Sequence, residues 1–100
     1  MYGTVAILKP KQGMEKALVD EFDRWWSERR PRAKGAVAST LHRNANNPSE
    51  VILSVVFDSK ENYDANANDP EQDKWYQQMR ANLESDPRWM DGEVLACKHV

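Results

Sequence analysis

Little in this sequence points to disulfide, metal or membrane chemistry. A single cysteine leaves no partner for an internal disulfide. Cys97 stands in the apolar run Val94-Leu95-Ala96-Cys97, which reads as a small buried thiol on a last strand. Only two histidines occur, His42 and His99. No HxxxH, CxxC, GxGxxG or Walker-type glycine-lysine spacing accompanies them, so zinc, dinucleotide and P-loop sites have no support and no cofactor is expected. Neither sign of charge dominates. With 14 Lys+Arg against 16 Asp+Glu, a formal charge of -2 and a pI near 5.6, the chain has no field that would hold a nucleic acid. Its longest apolar run, Val51 to Phe57, is interrupted by Ser54 and falls far short of the roughly 20 residues of a membrane span. Met1-Tyr2-Gly3-Thr4 leads straight into a strand pattern without a basic region or an apolar signal core, so cytoplasmic residence is the expectation.

One hundred residues give room for one hydrophobic core and one domain, residues 1–100. Tyr2 to Lys9 is β-branched and apolar without helical period, then breaks at Pro10 and Gly13: a first strand and turn. From Met14 to Arg29, steps of 100° place Met14, Leu18, Val19, Phe22, Trp25 and Trp26 within an arc of about 140°, the core stripe of an amphipathic helix. Pro31 stops it, with Arg29 and Arg30 at its negative end. Ala36 to Arg43 and Val51 to Phe57 form a hairpin around the turn-rich Asn44 to Glu50. Asp58 with Glu61 predicts a helix cap, and Asp69-Pro70 predicts a second one, so this helical region is broken in two. Its longer part gathers Gln72, Trp75, Tyr76, Met79 and Leu83 within about 100°. Asp86-Pro87 ends it, Arg88 to Gly92 reads as a loop, and Glu93 to Val100 as the last strand.

The order β-α-β-β-α-β predicts an α+β, ferredoxin-like antiparallel sheet, strand order 4-1-3-2, with two helical regions on one face. Yet Val51 to Phe57 and Val5 to Leu8 are apolar on both sides of the pleat. A second apolar face needs a second cover, and another copy of the same sheet across a two-fold axis provides it, so a homodimer is expected.

The turn Lys9-Pro10-Lys11-Gln12-Gly13 leading to Glu15, and the segment from Val55 through Asp58-Ser59-Lys60-Glu61 to Asn66 followed by Asp69-Pro70-Glu71, resemble the antibiotic-biosynthesis-monooxygenase-like family across most of the chain. That resemblance implies a dimeric α/β barrel with a pocket between sheet and helices in each subunit. It also implies one of several activities: oxygenation of polycyclic phenols without metal or flavin, heme degradation, or a non-catalytic role. The family's usual Trp at the end of the third strand and the His after it are here Phe57 and Asn66. The heme-degrading branch also carries an Asn on its first strand, and none lies between Tyr2 and Lys9. Heme iron then has no imidazole for a proximal ligand. Oxygenation by the substrate's own electron-rich chemistry needs only binding, orientation and transfer of a proton.

Against this background, His42 and Asn66 are the candidate catalytic groups. Trp26, Phe57, Trp75, Met79 and Trp89 are the candidate walls for a small aromatic or polyketide-like ligand. Each has a plainer reading: a hydrogen-bonded structural histidine for His42, a helix-break bridge for Asn66, core packing for Phe57 and for the spaced Trp25 and Trp75. Glu15, Asp20, Asp23, Glu28 and most other carboxylates fall on solvated helix faces. Arg29, Arg30, Arg32 and Lys34 read as helix-end charges, or as a grip on an anionic ligand tail. An enzyme of the monooxygenase kind and a ligand-binding or stress-response module of the same fold are the two functional expectations.

Overall fold

In the computed structural model, which describes residues 1–98, the chain runs through β1 (Tyr2–Leu8), α1 (Glu15–Arg24), β2 (Ala36–Arg43), β3 (Val51–Phe57), α2 (Lys60–Ala67), α3 (Pro70–Ala81) and β4 (Arg88–Glu93). The strands pair antiparallel in one sheet, β2-β3-β1-β4, in the order expected from the motif. No helix among the described residues is long and apolar enough to cross a membrane.

Past Arg24 the first helix changes pitch. Trp25–Arg29 form a π turn, in which the N–H of Arg30 donates to the carbonyl of Trp25 five residues back, and Arg30–Arg32 close it as a tight 3-10 turn. Pro31 sits in that closing turn, where its missing N–H ends the ladder. The buried stripe is narrower than the sequence predicts. Leu18 is buried, whereas Val19, one step around the helix, is 41% exposed.

The second helical region is broken in two, as predicted. Asp69 caps α3 by accepting the N–H of Glu71 at 2.9 Å, and Pro70 fills the first helical position. The cap of α2 is Ser59 and not Asp58: Ser59 Oγ accepts the Asn62 N–H at 3.1 Å. Asp58 is occupied otherwise. Its N–H donates to the Gly35 carbonyl at 2.8 Å and its carboxylate accepts from the Asn62 side chain at 2.8 Å. Gly35 has φ +86, and a Cβ there would run into that same carboxylate, so the left-handed turn before β2 requires glycine.

The last strand lies earlier than expected. Arg88–Glu93 pairs with β1 in the register Ala6↔Trp89 and Thr4↔Asp91, and the apolar run that follows it is not a strand. Leu95 is 91% exposed and Cys97 is half-buried, so the expected buried thiol is a partly accessible one. An edge strand pairs on one side only and tolerates charged residues, which is why Arg88-Trp89-Met90-Asp91 escapes a search for apolar runs. His99 lies outside the described residues.

The sheet sorts its side chains by the period of two. Ala6, Leu8, Val51 and Leu53 face the helices and pack with Leu18 and Leu83 in the core. Leu83 is held there because the N–H of Lys11 donates to the Asn82 carbonyl and the N–H of Glu84 to the Lys9 carbonyl, both at 2.8 Å. The alternate residues Val5, Ile7, Ile52, Val56 and Met90 form the other face. Val5 is 41% and Met90 46% exposed.

Candidate functional site

Between the helix-facing side of the sheet and the helices lies a cavity of about 460 Å³. From α1 it takes Leu18, Glu21 and Phe22, and from the start of the π turn Trp25, spaced three and four residues apart along one face. Gln72, Trp75, Tyr76 and Met79 come from α3, and Tyr63 and Asn66, one turn apart, from α2. The sheet supplies Thr4, Ser39, Val55, Phe57, Trp89 and Asp91, every one on the side that alternation turns toward the helices. The walls are chiefly aromatic and aliphatic, with a few polar groups among them, the usual make-up of a small-molecule site.

Most of the residues singled out from the sequence meet in this cavity: Asn66, Phe57, Trp75, Met79 and Trp89. Phe57 both packs and lines it, being 1% exposed with its ring set edge-on to Tyr63 at 5.7 Å. Trp89 is on strand β4 and not in a loop, 43% exposed, with its ring tilted against Tyr76 at 6.3 Å. Trp26 is not among the lining residues. It lies one step around the helix from the Leu18, Phe22 and Trp25 stripe, and its ring sits under the Arg30 guanidinium at 5.1 Å. Trp25, for which core packing is the plainer reading, lines the cavity, and its Nε1 donates to Gln72 Oε1 at 2.8 Å. His42 is also elsewhere. It is exposed on edge strand β2, beside a hollow of about 200 Å³ that it shares with Glu15, Val19 and Arg43. The reason is the pleat: its neighbour Leu41 faces the cavity, so His42 does not.

Three polar features were not foreseen. Arg29 is 4% exposed, with Nη2 donating to Asn66 Oδ1 at 2.9 Å and to Asp69 Oδ2 at 3.1 Å, so it is a buried tie among three helical segments and not a solvated helix-end charge. Spacing was the available signal, since Arg29 follows Trp25 by four residues and Phe22 by seven. Glu21, three residues after Leu18, also belongs to the inner face. Its Oε2 accepts from Arg24 at 2.7 Å, while Oε1 is buried without a hydrogen-bond partner. Burial pushes its carboxyl pKa up, Arg24 opposes the rise, and repulsion from Glu28 adds to it. Finally, the Tyr63 hydroxyl donates to Asp91 Oδ1 at 3.1 Å. Burial, with the adjacent Asp91 charge, pushes the phenol up to about 12, so Tyr63 is a neutral hydrogen-bonding group at ordinary pH.

Asp69, bonded to the backbone N–H of Glu71 and next to the Arg29 guanidinium, is held below the usual carboxylate range. Among the described residues, no group of three or more His, Cys, Asp or Glu side chains is arranged to hold a metal ion. Heme does not fit position 66 either: the Asn66 oxygen is engaged by Arg29, and an amide nitrogen has no lone pair to offer iron. Chemically, the cavity can enclose a flat apolar body, meet its polar edges with an amide, a phenol and carboxylates, and accept a proton.

No protein-family model and no curated protein sequence matches this chain. Solved structures do. A candidate antibiotic biosynthesis monooxygenase from Caulobacter crescentus CB15 superposes with a TM-score of 0.80 at 13% identity, covering 95% of this chain and 90% of that one. Another, from Nitrosomonas europaea, gives 0.75 at 16%, covering 96% and 100%. A protein of unknown function from Nitrosomonas europaea gives 0.76 at 21%, covering 99% and 93%. Over nearly its whole length, then, the chain has the ferredoxin-like fold of structures named as antibiotic biosynthesis monooxygenases.

Proposed function

We propose that the chain binds a small hydroxylated aromatic or polyketide-like compound in the cavity under α1 and α3 and oxygenates it without a cofactor. The observation that carries this reading is the cavity itself: about 460 Å³, walled by Trp25, Phe57, Trp75, Tyr76 and Trp89, with polar groups only at a few points. That volume accommodates a bicyclic or larger planar ligand. The similarity in fold to structures named as monooxygenases points the same way.

In the proposed reaction the ligand supplies the electrons. A phenol bound between the aromatic walls loses its hydroxyl proton, and the electron-rich ring reacts with dioxygen. One oxygen atom becomes a new ring carbonyl and the other leaves as water, so phenol plus dioxygen gives quinone plus water. The protein's part is to orient the ring, exclude solvent and take the proton. Glu21 is the lining carboxylate best suited to accept it, since burial has already raised its affinity for a proton. His42, which does not line the cavity, is given no part in this reaction.

The apolar outer face of the sheet, with Val5 and Met90 open to solvent, supports a homodimer in which a second copy covers that face. One observation favours the alternative of a non-catalytic binding module: among the described residues, no imidazole lines the cavity. Oxygen uptake with 1-naphthol and larger phenols, without added metal or flavin, separates the two. Turnover that is lost in Glu21→Leu supports the enzyme. Saturable binding with no uptake across the panel would overturn it and leave the module.

A further inference from the structure

We propose that Arg29 is a positioning residue that fixes the Asn66 side-chain amide as a hydrogen-bond donor, so that the cavity selects ligands carrying an acceptor oxygen, a ketone, quinone or phenolate, at the α2 end. This rests on the reading of the cavity as a site for an aromatic ligand.

The argument begins with the chemistry of the guanidinium, which has five donors and no acceptor. An amide beside it must therefore turn its oxygen toward it. Asn66 does so: Oδ1 accepts from Arg29 Nη2 at 2.9 Å. The other arm of the amide, Nδ2, makes no hydrogen bond to the described protein, and Asn66 is a cavity-lining residue. Arg29 thus decides which arm is left for a ligand. A free asparagine offers donor or acceptor by rotating its amide; this one offers only donors.

Arg29 is held through one arm, Nη2, while its Nε is buried without a hydrogen-bond partner. It is 4% exposed, and Asp69 Oδ2 holds the same Nη2 at 3.1 Å while Asp69 Oδ1 accepts the Glu71 N–H at 2.9 Å at the start of α3. The helix cap anchors the carboxylate, the carboxylate anchors the guanidinium, and the guanidinium anchors the amide. Its positive charge also stands directly behind the amide and polarises the free N–H groups, which strengthens their bond to an oxygen bearing negative charge. Tyr63, one turn before Asn66, does not compete as a donor, because its own proton is committed to Asp91 at 3.1 Å.

The test compares 1-tetralone with tetralin, which share one bicyclic skeleton and differ by a carbonyl acceptor. In the wild type, tetralone should bind more tightly than partition alone predicts, and its addition should shift the Asn66 side-chain amide resonance in nitrogen-15 NMR, whereas tetralin should not. Asn66→Asp keeps a partner for Arg29 but has no donor. It should lower tetralone affinity about tenfold, the worth of one hydrogen bond, and leave tetralin unchanged. Arg29→Gln retains the Asn66 donor but frees the amide to rotate, and a comparable loss of tetralone preference there is the mark of positioning. If Arg29→Gln does not fold, the wild-type resonance shift together with Asn66→Asp decides. Binding of both probes with a preference untouched by either substitution, or by Arg29→Gln alone, would overturn this inference and spare the cavity reading. Binding of neither would overturn both.

Discussion

Trp25 and Gln72 are joined across 47 residues of sequence by a single side-chain hydrogen bond, indole Nε1 to amide Oε1 at 2.8 Å, and both line the cavity. The bond ties the end of α1 to the first turn of α3, so the two helices that roof the site are fastened to each other as well as to the sheet. Trp25→Phe keeps a flat aromatic wall and removes the donor, leaving Gln72 Oε1 half-buried and unpaired. The expected cost is about 1 kcal/mol of folding stability, read as a lowered urea midpoint at unchanged slope. Gln72→Glu, which keeps the acceptor, should be closer to wild type than Trp25→Phe.

Gly3 has no room for a side chain. A Cβ built on it would overlap the carbonyl oxygen of Val55 on the neighbouring strand, and backbone cannot swing aside as a flexible side chain would. Gly3→Ala must therefore spread β1 from β3 in the middle of the sheet, near Thr4 and Val55 of the cavity floor. A destabilisation of about 1–3 kcal/mol or more is expected from overpacking, with a fall in melting temperature. Gly92→Ala, where no atom would be met within contact distance, is the matched control and should be nearly silent.

Tyr63 sets the behaviour of the protein at high pH. Its phenol ionises near 10.0 when unperturbed and at about 12 in the fold. Between those values the unfolded chain releases a proton that the folded chain keeps, so the stability linked to Tyr63 is complete below about pH 10 and is lost as pH rises through about 12. Tyr63→Phe should flatten that alkaline decline. Ultraviolet titration of the folded wild type should show a phenolate step near 12 that the variant lacks.

How far the sequence disclosed this molecule depended on the kind of signal. The hairpin, the broken second helix and the Asp69-Pro70 start of α3 were legible because turn residues, caps and proline act locally. Strand β4 was not, because an edge strand is held by pairing to β1 and carries no apolar run of its own, while the greasy Val94 to Cys97 imitated one. Counting 100° steps found the inner face of α1 but drew it too wide, admitting Val19 and Trp26. Reading charge as a sign of solvent then left out Glu21 and Arg29, which share that face. Glu21 lines the cavity directly, and Arg29, outside its lining, reaches it through Asn66.

His42 provides a clean negative control for the site. One of two candidate catalytic groups in the sequence, with a structural histidine as its plainer reading, it is exposed on edge strand β2 and does not line the cavity. His42→Ala should leave ligand affinity and turnover at wild-type values and change stability by about 0.5 kcal/mol or less, as surface substitutions generally do. Loss of activity in His42→Ala with the fold intact would place the chemistry somewhere other than the cavity.

The outer face of the sheet makes a prediction of a different kind. Val5, 41% exposed, sits at the centre of that face, paired in register with Ser54 on one side and Met90, 46% exposed, on the other. At about 25 cal/mol for each Å² of apolar surface taken from water, covering these residues and the neighbouring Ile7, Ile52 and Val56 favours association of two sheets over an open monomer. A charge at the centre cannot be buried under a second sheet without desolvation, which opposes pairing. The wild type is therefore expected to sediment as a dimer at micromolar concentration, and Val5→Lys as a folded monomer with unchanged far-ultraviolet circular dichroism. Val5→Lys leaves the cavity walls intact, because the pleat turns residue 5 away from them, so it also tests whether a lone subunit can bind its ligand. A wild-type chain that sediments as a monomer at this concentration would remove the dimer from the proposal, while the cavity would stand on its own geometry.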